Sequence, residues 1–423
     1  MKLFRRIIIA IAALIAGYIG LMLLINAGAV MSSSRKIPEI EEVGTTLDDL
    51  VIPSDVRVVG IGEATHGNVE FQVAKLDMLK KMISDGNCRC IAFEISVGEG
   101  AMINSAIHGN GAHLTELVGE LDYPLYDTQQ IIDLLAWMRE FNKGRSYDNS
   151  VMFYGIDMQG AYTSIEYLCE FAEVHPEAFK EGEIDKLTAL ADPDADYSED
   201  KEFFENLHAR LSKSTNTDYM IAAMAAGTVL QSIDSPSFDE DANAYGEYRD
   251  RCMALNVQAI SGIEEHRGYS QVLITAHNGH IMKGGAASYG ETAMGQQIDD
   301  LFEGKYFCIG TEFYNTVVNI HTAGTYDEEY ERKDHAYCSQ DILAYQAKYF
   351  DGGKYVLVFD DVTEDYSRIY KLIHEDNFTG CAGEGYTIYM DLYKTYRLKM
   401  KVAERYDAMI YYYETTPIRC LHY

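Results

Sequence analysis

Short apolar runs, rich in β-branched and aromatic residues, alternate along the chain with stretches of helical period. That alternation is the pattern of a mostly parallel central sheet flanked by helices, an α/β fold. The first run, 56–61, predicts a strand that leads into Gly62 and Glu63. A helix is expected from about Asn68, a suitable N-cap, to Asp85, where Gly86 stops it. Further strands are read at 90–93, ending at Glu94, at 151–156, ending at Asp157, and at 272–276, ending at His277. Residues 306–309, 355–359 and 408–413 are additional strand candidates. Between the third and fourth strands, residues from about 161 to 268 keep a helical period without a convincing strand. So long a segment exceeds an ordinary crossover and reads as a helical insertion capping the sheet.

One apolar run stands apart from this pattern. Residues 7–25 carry no charge, and Lys2, Arg5 and Arg6 precede them. At about 1.5 Å per residue, a helix of that length nearly spans a bilayer core. The expected organisation is a cytoplasmic basic flank at 1–6, a transmembrane anchor at 7–25 and a tether at 26–45. The α/β domain then occupies 46–423, outside a cell membrane crossed once. Ala27-Gly28-Ala29 also permits a cleaved signal peptide, but the apolar run is longer than a usual signal core, which favours a retained anchor.

Composition narrows the partners. The chain has 423 residues, 47% hydrophobic and 12% aromatic, enough for one large core or two modest ones. Its 35 basic and 66 acidic residues give a formal charge of -31, which excludes nucleic acid as a partner for want of a basic footprint. The eight cysteines include no C-x-x-C pair and no metal-ligand spacing. Most read as small core hydrophobes, although an exported domain also permits a bridge between distant positions.

The chemistry gathers at strand ends. Glu63, Glu94, Asp157 and His277 each stand just past the carboxyl end of a separate expected strand, where open α/β sheets bind ligands. Any one of them is as readily a helix cap or loop contact; four together point to a site. His66 lies in the first strand-to-helix turn, Glu63-Ala64-Thr65-His66-Gly67, where Gly62 and Gly67 permit a tight turn and close approach of the backbone. It titrates near neutrality and suits a general base oriented by a carboxylate. Lys75 interrupts the apolar stripe of Phe71, Leu79 and Met82, and a buried cation calls for a paired carboxylate. His277 and His280 on one turn can face a common cavity, as two metal ligands also can.

Gly60-Ile61-Gly62-Glu63-Ala64-Thr65-His66-Gly67 resembles the opening motif of the erythromycin esterase-like family. The likeness continues through Phe93-Glu94, Tyr154-Gly155-Ile156-Asp157-Met158-Gln159-Gly160 and the segment from Arg249 to Asn256. It resumes at Ala276-His277-Asn278-Gly279-His280, Ile309-Gly310-Thr311-Glu312-Phe313 and the closing stretch from Tyr406 to Arg419. The resemblance implies a catalytic set of His66, Glu63, Glu94, His277 and His280, with a basic residue at Lys75. Thr128-Gln129-Gln130 departs from a Thr followed closely by Glu in many members. The soluble antibiotic-inactivating members also lack the apolar N-terminal run.

These readings converge on a membrane-anchored hydrolase of a small-molecule ester or lactone, a macrolide among the candidates. In this scheme His66 activates water, Glu63 or Glu94 orients its ring, and the second histidine pair with Lys75 stabilises the oxyanion or protonates the leaving group. Lys75, Asp157 and Gln159 are the candidates for holding substrate. The absence of a Gly-x-Ser-x-Gly elbow beside these strands disfavours a serine nucleophile. No cofactor is expected, although two histidines and two glutamates also suit a zinc or manganese hydrolase. A different class, a tetrapyrrole or small-molecule binding protein on the same sheet, is the other alternative.

Overall fold

The computed structural model describes residues 2–109, 113–285, 291–322 and 331–422. In chain order, α1 (Lys2–Ser33) and α2 (Ile40–Val43) lead into β1 (Gly44–Thr45), β2 (Val58–Glu63), α3 (Val69–Asp85) and β3 (Cys88–Ser96). Next come α4 (Val97–His108), α5 (Leu114–Gly119), α6 (Gln129–Asn142) and β4 (Met152–Asp157). The expected insertion is helical throughout: α7 (Ala161–Val174), α8 (Glu183–Leu190), α9 (Lys201–Leu211), α10 (Thr217–Ile233) and α11 (Ala242–Arg267). The chain returns through β5 (Gln271–His277), α12 (Asn278–Ile281), α13 (Met294–Leu301), β6 (Tyr306–Thr322) and β7 (Arg332–Cys338). It closes with α14 (Ile342–Gln346), β8 (Lys354–Val358), α15 (Ser367–His374), β9 (Asn377–Gly380), β10 (Gly385–Tyr386), α16 (Ile388–Tyr393), β11 (Arg397–Met400) and β12 (Ala408–Thr415).

A ten-stranded sheet runs β1-β8-β12-β6-β2-β5-β3-β4, with β7 and β10 also paired to β6. From β12 to β4 every pairing is parallel. The β8–β12, β1–β8 and β6–β7 pairs are antiparallel. β2, β4 and β5 are buried along their whole length, because helices cover both faces of a parallel sheet. For the same reason these strands are mostly apolar on both faces and not alternating, with polar residues chiefly at their ends.

The membrane segment is corrected. Residues 7–25 do lie in a helix, α1, but no helix among the described residues is long and apolar enough to cross a membrane. A span needs about 20 consecutive apolar residues. Beyond Arg5 and Arg6, the apolar residues of α1 are interrupted by Gly17, Tyr18 and Gly20. The transmembrane anchor, the single-pass topology and the extracytoplasmic placement that rested on it are therefore withdrawn. After α1 the chain docks on the domain: the Ser34 hydroxyl lies 2.8 Å from that of Tyr314, and Ile37 and Ile40 are fully buried.

The turn after β2 is secured from far along the chain. Ile418 N donates to Gly67 O at 3.0 Å, Val69 N donates to Thr416 O at 3.0 Å, and Thr416 N donates to Glu70 Oε2 at 2.8 Å. Asn68 stands at the N-cap of α3, but its side chain does not cap the helix. Its amide donates instead to Val317 O and Thr416 O, lacing the turn to β6 and to the C-terminal segment.

Candidate active site

Four strand ends bring the site together. β2 and β5 pair in parallel with Glu63 opposite His277, and β3 and β4 continue the same rim. On β3 the register slips between Phe93 and Ser96, so three steps of β3 match two of β4. Such a bulge re-aims a side chain. Here it turns Glu94 toward β5, where Glu94 Oε2 accepts from His277 N at 2.9 Å.

Gly62 and Gly67 both have negative φ, so neither serves the turn by adopting a left-handed conformation. Their contribution is space. A Cβ on Gly62 would lie 2.2 Å from Asn278 Oδ1, and one on Gly67 2.2 Å from Asn319 O. The turn carrying His66 therefore presses directly on α12 and β6.

Two ionic chains face each other across the rim. In the first, Glu63 is buried and its Oε1 lies 3.0 Å from His66 Nδ1. Glu63 Oε2 lies 3.1 Å from Lys75 Nζ, in ion-pair contact without hydrogen-bond geometry. The Lys75 ammonium is 4.9 Å from the Phe93 ring centroid and 4.7 Å from that of Tyr126, both within cation–π range. Burial alone would raise the Glu63 carboxyl; Lys75 and His66 outweigh it and hold Glu63 below the usual carboxylate range. Burial likewise opposes charge on His66, but Glu63, then Glu94 and Glu384, lift the ring above its ordinary value.

The second chain starts from the insertion. Arg249 on α11 reaches Glu94 Oε1 at 2.9 Å and Asp157 Oδ2 at 2.5 Å, with its Nε 3.0 Å from the same Asp157 oxygen. His280 Nδ1 lies 2.6 Å from Asp250 Oδ1, and its Nε2 lies 3.3 Å from Glu94 Oε1. Burial would lower His280, but Asp250 and Glu94 outweigh it and raise the ring to about 9. Glu94 is buried too, yet His280, Arg249 and His66 hold it well below the usual carboxylate range.

His277 lies between the chains. Its ring centroid is 5.0 Å from that of His66. Its Nδ1 accepts from Gly279 N at 3.1 Å, and its Nε2 lies 3.8 Å from Cys381 Sγ. Burial, with His66 and His280 adding to it, pushes this ring down to about 3. The site thus contains one neutral imidazole flanked by one oriented by a carboxylate and one held as a cation.

Of the expected substrate contacts, Lys75 and Asp157 are fully enclosed within the protein, Asp157 also accepting from Gln159 N at 3.2 Å. Gln159 is half-buried and donates through Nε2 to Tyr245 OH at 2.8 Å, tying the rim to α11. Arg249 and Asp250 hold the second chain, and the strand-end pattern alone did not single them out. Their signal is an adjacent Arg-Asp pair on a helix, which becomes specific only once the insertion has folded back. Among the described residues, no group of three or more His, Cys, Asp and Glu is arranged to hold a metal ion.

The model of the erythromycin esterase family matches residues 83–415. An erythromycin esterase type II of Escherichia coli is 25% identical over 319 residues, covering 66% of this chain and 73% of that protein. Three solved structures share the fold. A Bacillus cereus protein aligns with a TM-score of 0.70 at 16% identity, covering 90% of this chain and 97% of its own. A succinoglycan biosynthesis protein gives 0.67 at 16% identity, covering 92% and 94%. A mutant of erythromycin esterase EreC in its open conformation gives 0.57 at 15% identity, covering 86% and 91%.

Proposed function

Because the chain belongs to the erythromycin esterase family, we propose that it hydrolyses an ester or lactone by water activated at His66, with macrocyclic lactones the first substrates to try. The observation that carries this reading is the pairing of His66 Nδ1 with Glu63 at 3.0 Å. A ring nitrogen against a carboxylate carries the proton, which leaves the lone pair on Nε2. Nε2 takes a proton from water as the water oxygen bonds to the acyl carbon. Glu63, held charged by Lys75, stabilises the imidazolium that forms.

The tetrahedral intermediate carries a negative charge on the former carbonyl oxygen. Arg249 and the protonated His280 are the cationic donors of the rim, and donors fixed in advance are worth about 3 kcal/mol each to such a transition state. The carbon–oxygen bond then breaks, and the departing alkoxide takes a proton from the His280 imidazolium. His277, neutral between the two, is suited to pass hydrogen bonds without adding charge. Lys75 and Asp157 act here by positioning Glu63 and Arg249, not by touching substrate.

The test is a panel of macrolides and simple esters incubated with the full chain, read by mass for the gain of one water. His66→Ala should reduce turnover about a hundred- to ten-thousand-fold while the protein stays folded. Activity should also survive prolonged chelation and dialysis. Loss on chelation with recovery on adding zinc or manganese would replace the His66 base with a metal-bound hydroxide. No hydrolysis of any panel member would reject the esterase reading.

A further inference from the structure

The segment from β9 to β11 caps the site and carries an apolar crest that the hydrolytic chemistry does not use. Ala382 N donates to Ala64 O at 2.8 Å, and Cys381 lies against His277, so the cap sits on the catalytic turn itself. Within it, Met390 of α16 packs inward against Val318, Ile320, Tyr337, Ala382 and Tyr396. The remaining apolar residues of this short helix point outward: Ile388 is 55% exposed, Tyr389 57%, Leu392 64% and Tyr393 70%. Exposed apolar residues are ordinary when scattered; four on one helix form a contact surface.

Charge identifies what this surface meets. The cap itself, residues 377–400, carries three basic residues, Lys394, Arg397 and Lys399, against two acidic ones, Glu384 and Asp391, and Glu384 is paired with Arg332. Beyond it Lys401 pairs with Glu404, and Arg405 donates to Lys283 O. The whole chain has 35 basic against 66 acidic residues, so the local sign is inverted. Across the β9–β11 ribbon, Lys399 pairs in register with Phe378, which is 44% exposed, and Arg397 lies 4.1 Å from the Phe378 ring centroid. A convex helix with tyrosine and leucine outward gives a small molecule no enclosure, but it enters the headgroup layer of a membrane, where aromatic rings and basic side chains are favoured together.

We propose that α16 and the neighbouring basic residues dock peripherally on an anionic lipid surface, holding the capped site open to esters dissolved in that layer. The contact is independent of α1 and crosses nothing.

The experiment is vesicle flotation of the full chain with neutral phosphatidylcholine vesicles and with vesicles containing phosphatidylglycerol. Binding should favour the anionic vesicles and fall with salt. Leu392→Asp or Lys399→Glu should each weaken it about tenfold or more. Both positions are exposed, and unchanged thermal melting will show that the fold is intact. The emission added by Tyr393→Trp should be quenched by brominated phosphatidylglycerol. α1 is present in every arm, so a difference between variants reports the cap. No binding, equal binding to neutral vesicles, or binding with unquenched emission would each overturn the proposal. Turnover is not the readout, so failure here leaves the esterase reading standing, and failure of that reading leaves the docking test intact.

Discussion

His277 and His280 stand three residues apart, and burial opposes charge on both rings. At His277 the neighbouring His66 and His280 add to burial and Glu94 and Glu63 do not offset them, whereas at His280 Asp250 and Glu94 outweigh burial. The His280 ring is raised to about 9, above an ordinary value of about 6.5. Its ion pairing is therefore fully present below about 6.5 and is lost as pH rises through about 9. If the imidazolium protonates the leaving group, kcat/KM should fall along the same limb, and His280→Gln should lower the plateau and remove that limb. A limb unchanged in His280→Gln would assign it to another group. His66 must be neutral to act as base, so the acid limb should lie above the ordinary histidine value, in the direction that Glu63 shifts it. Lys75→Met keeps the stem between Phe93 and Tyr126 but leaves Glu63 without its cation, at a cost of about 3–5 kcal/mol of stability. Adding Glu63→Gln in the same chain should recover most of the urea midpoint and none of the turnover. Glu63, Glu94, Asp157 and His277 were legible because strand ends converge on one rim whatever lies between them. Arg249 was not, because its reach to Glu94 bridges 155 positions and depends on how α11 packs.

At the scale of elements, the buried parallel strands were the clearest part of the sequence, since covering both faces demands mostly apolar runs. β6 was expected over 306–309 and extends from Tyr306 to Thr322. In its second half, half-buried Asn315 and Asn319 and the exposed Val317 alternate with buried residues, which shortens the apolar run without ending the strand. β7, with Arg332, Lys333 and Asp334, is polar because its partner lies on one side only and most of it faces solvent. The bulge in β3 has no sequence signature either, yet it aims Glu94. Close packing at the His66 turn gives a test at this scale. Gly67→Ala would set a methyl against the backbone oxygen of Asn319, an atom that cannot rotate away. Overpacking of this kind costs about 1–3 kcal/mol. Both the melting temperature and kcat should drop, whereas a variant with normal kcat would show that the turn can shift without disturbing His66.

For the molecule as a whole, the charge of -31 and the long insertion were plain in the composition and the periodicity. The membrane anchor was the reading that failed: no helix among the described residues is long and apolar enough to cross a membrane. All eight cysteines are unpaired, and Cys88, Cys90, Cys252 and Cys308 are buried. Thiol titration should therefore find eight groups in denaturant and no more than four reacting quickly in the native protein, with no change in melting temperature on adding reductant. Eight reactive thiols in the native state would mean that the core opens readily. The clasp of Thr416 and Ile418 on the turn of His66 also imposes an order in time. At about 5–20 residues per second, roughly 20–70 s of translation separate His66 from the residues that lock its turn. A nascent chain thus carries the whole His66 turn long before the contacts that hold it exist, and a chain ending short of Thr416 would leave that turn unfastened.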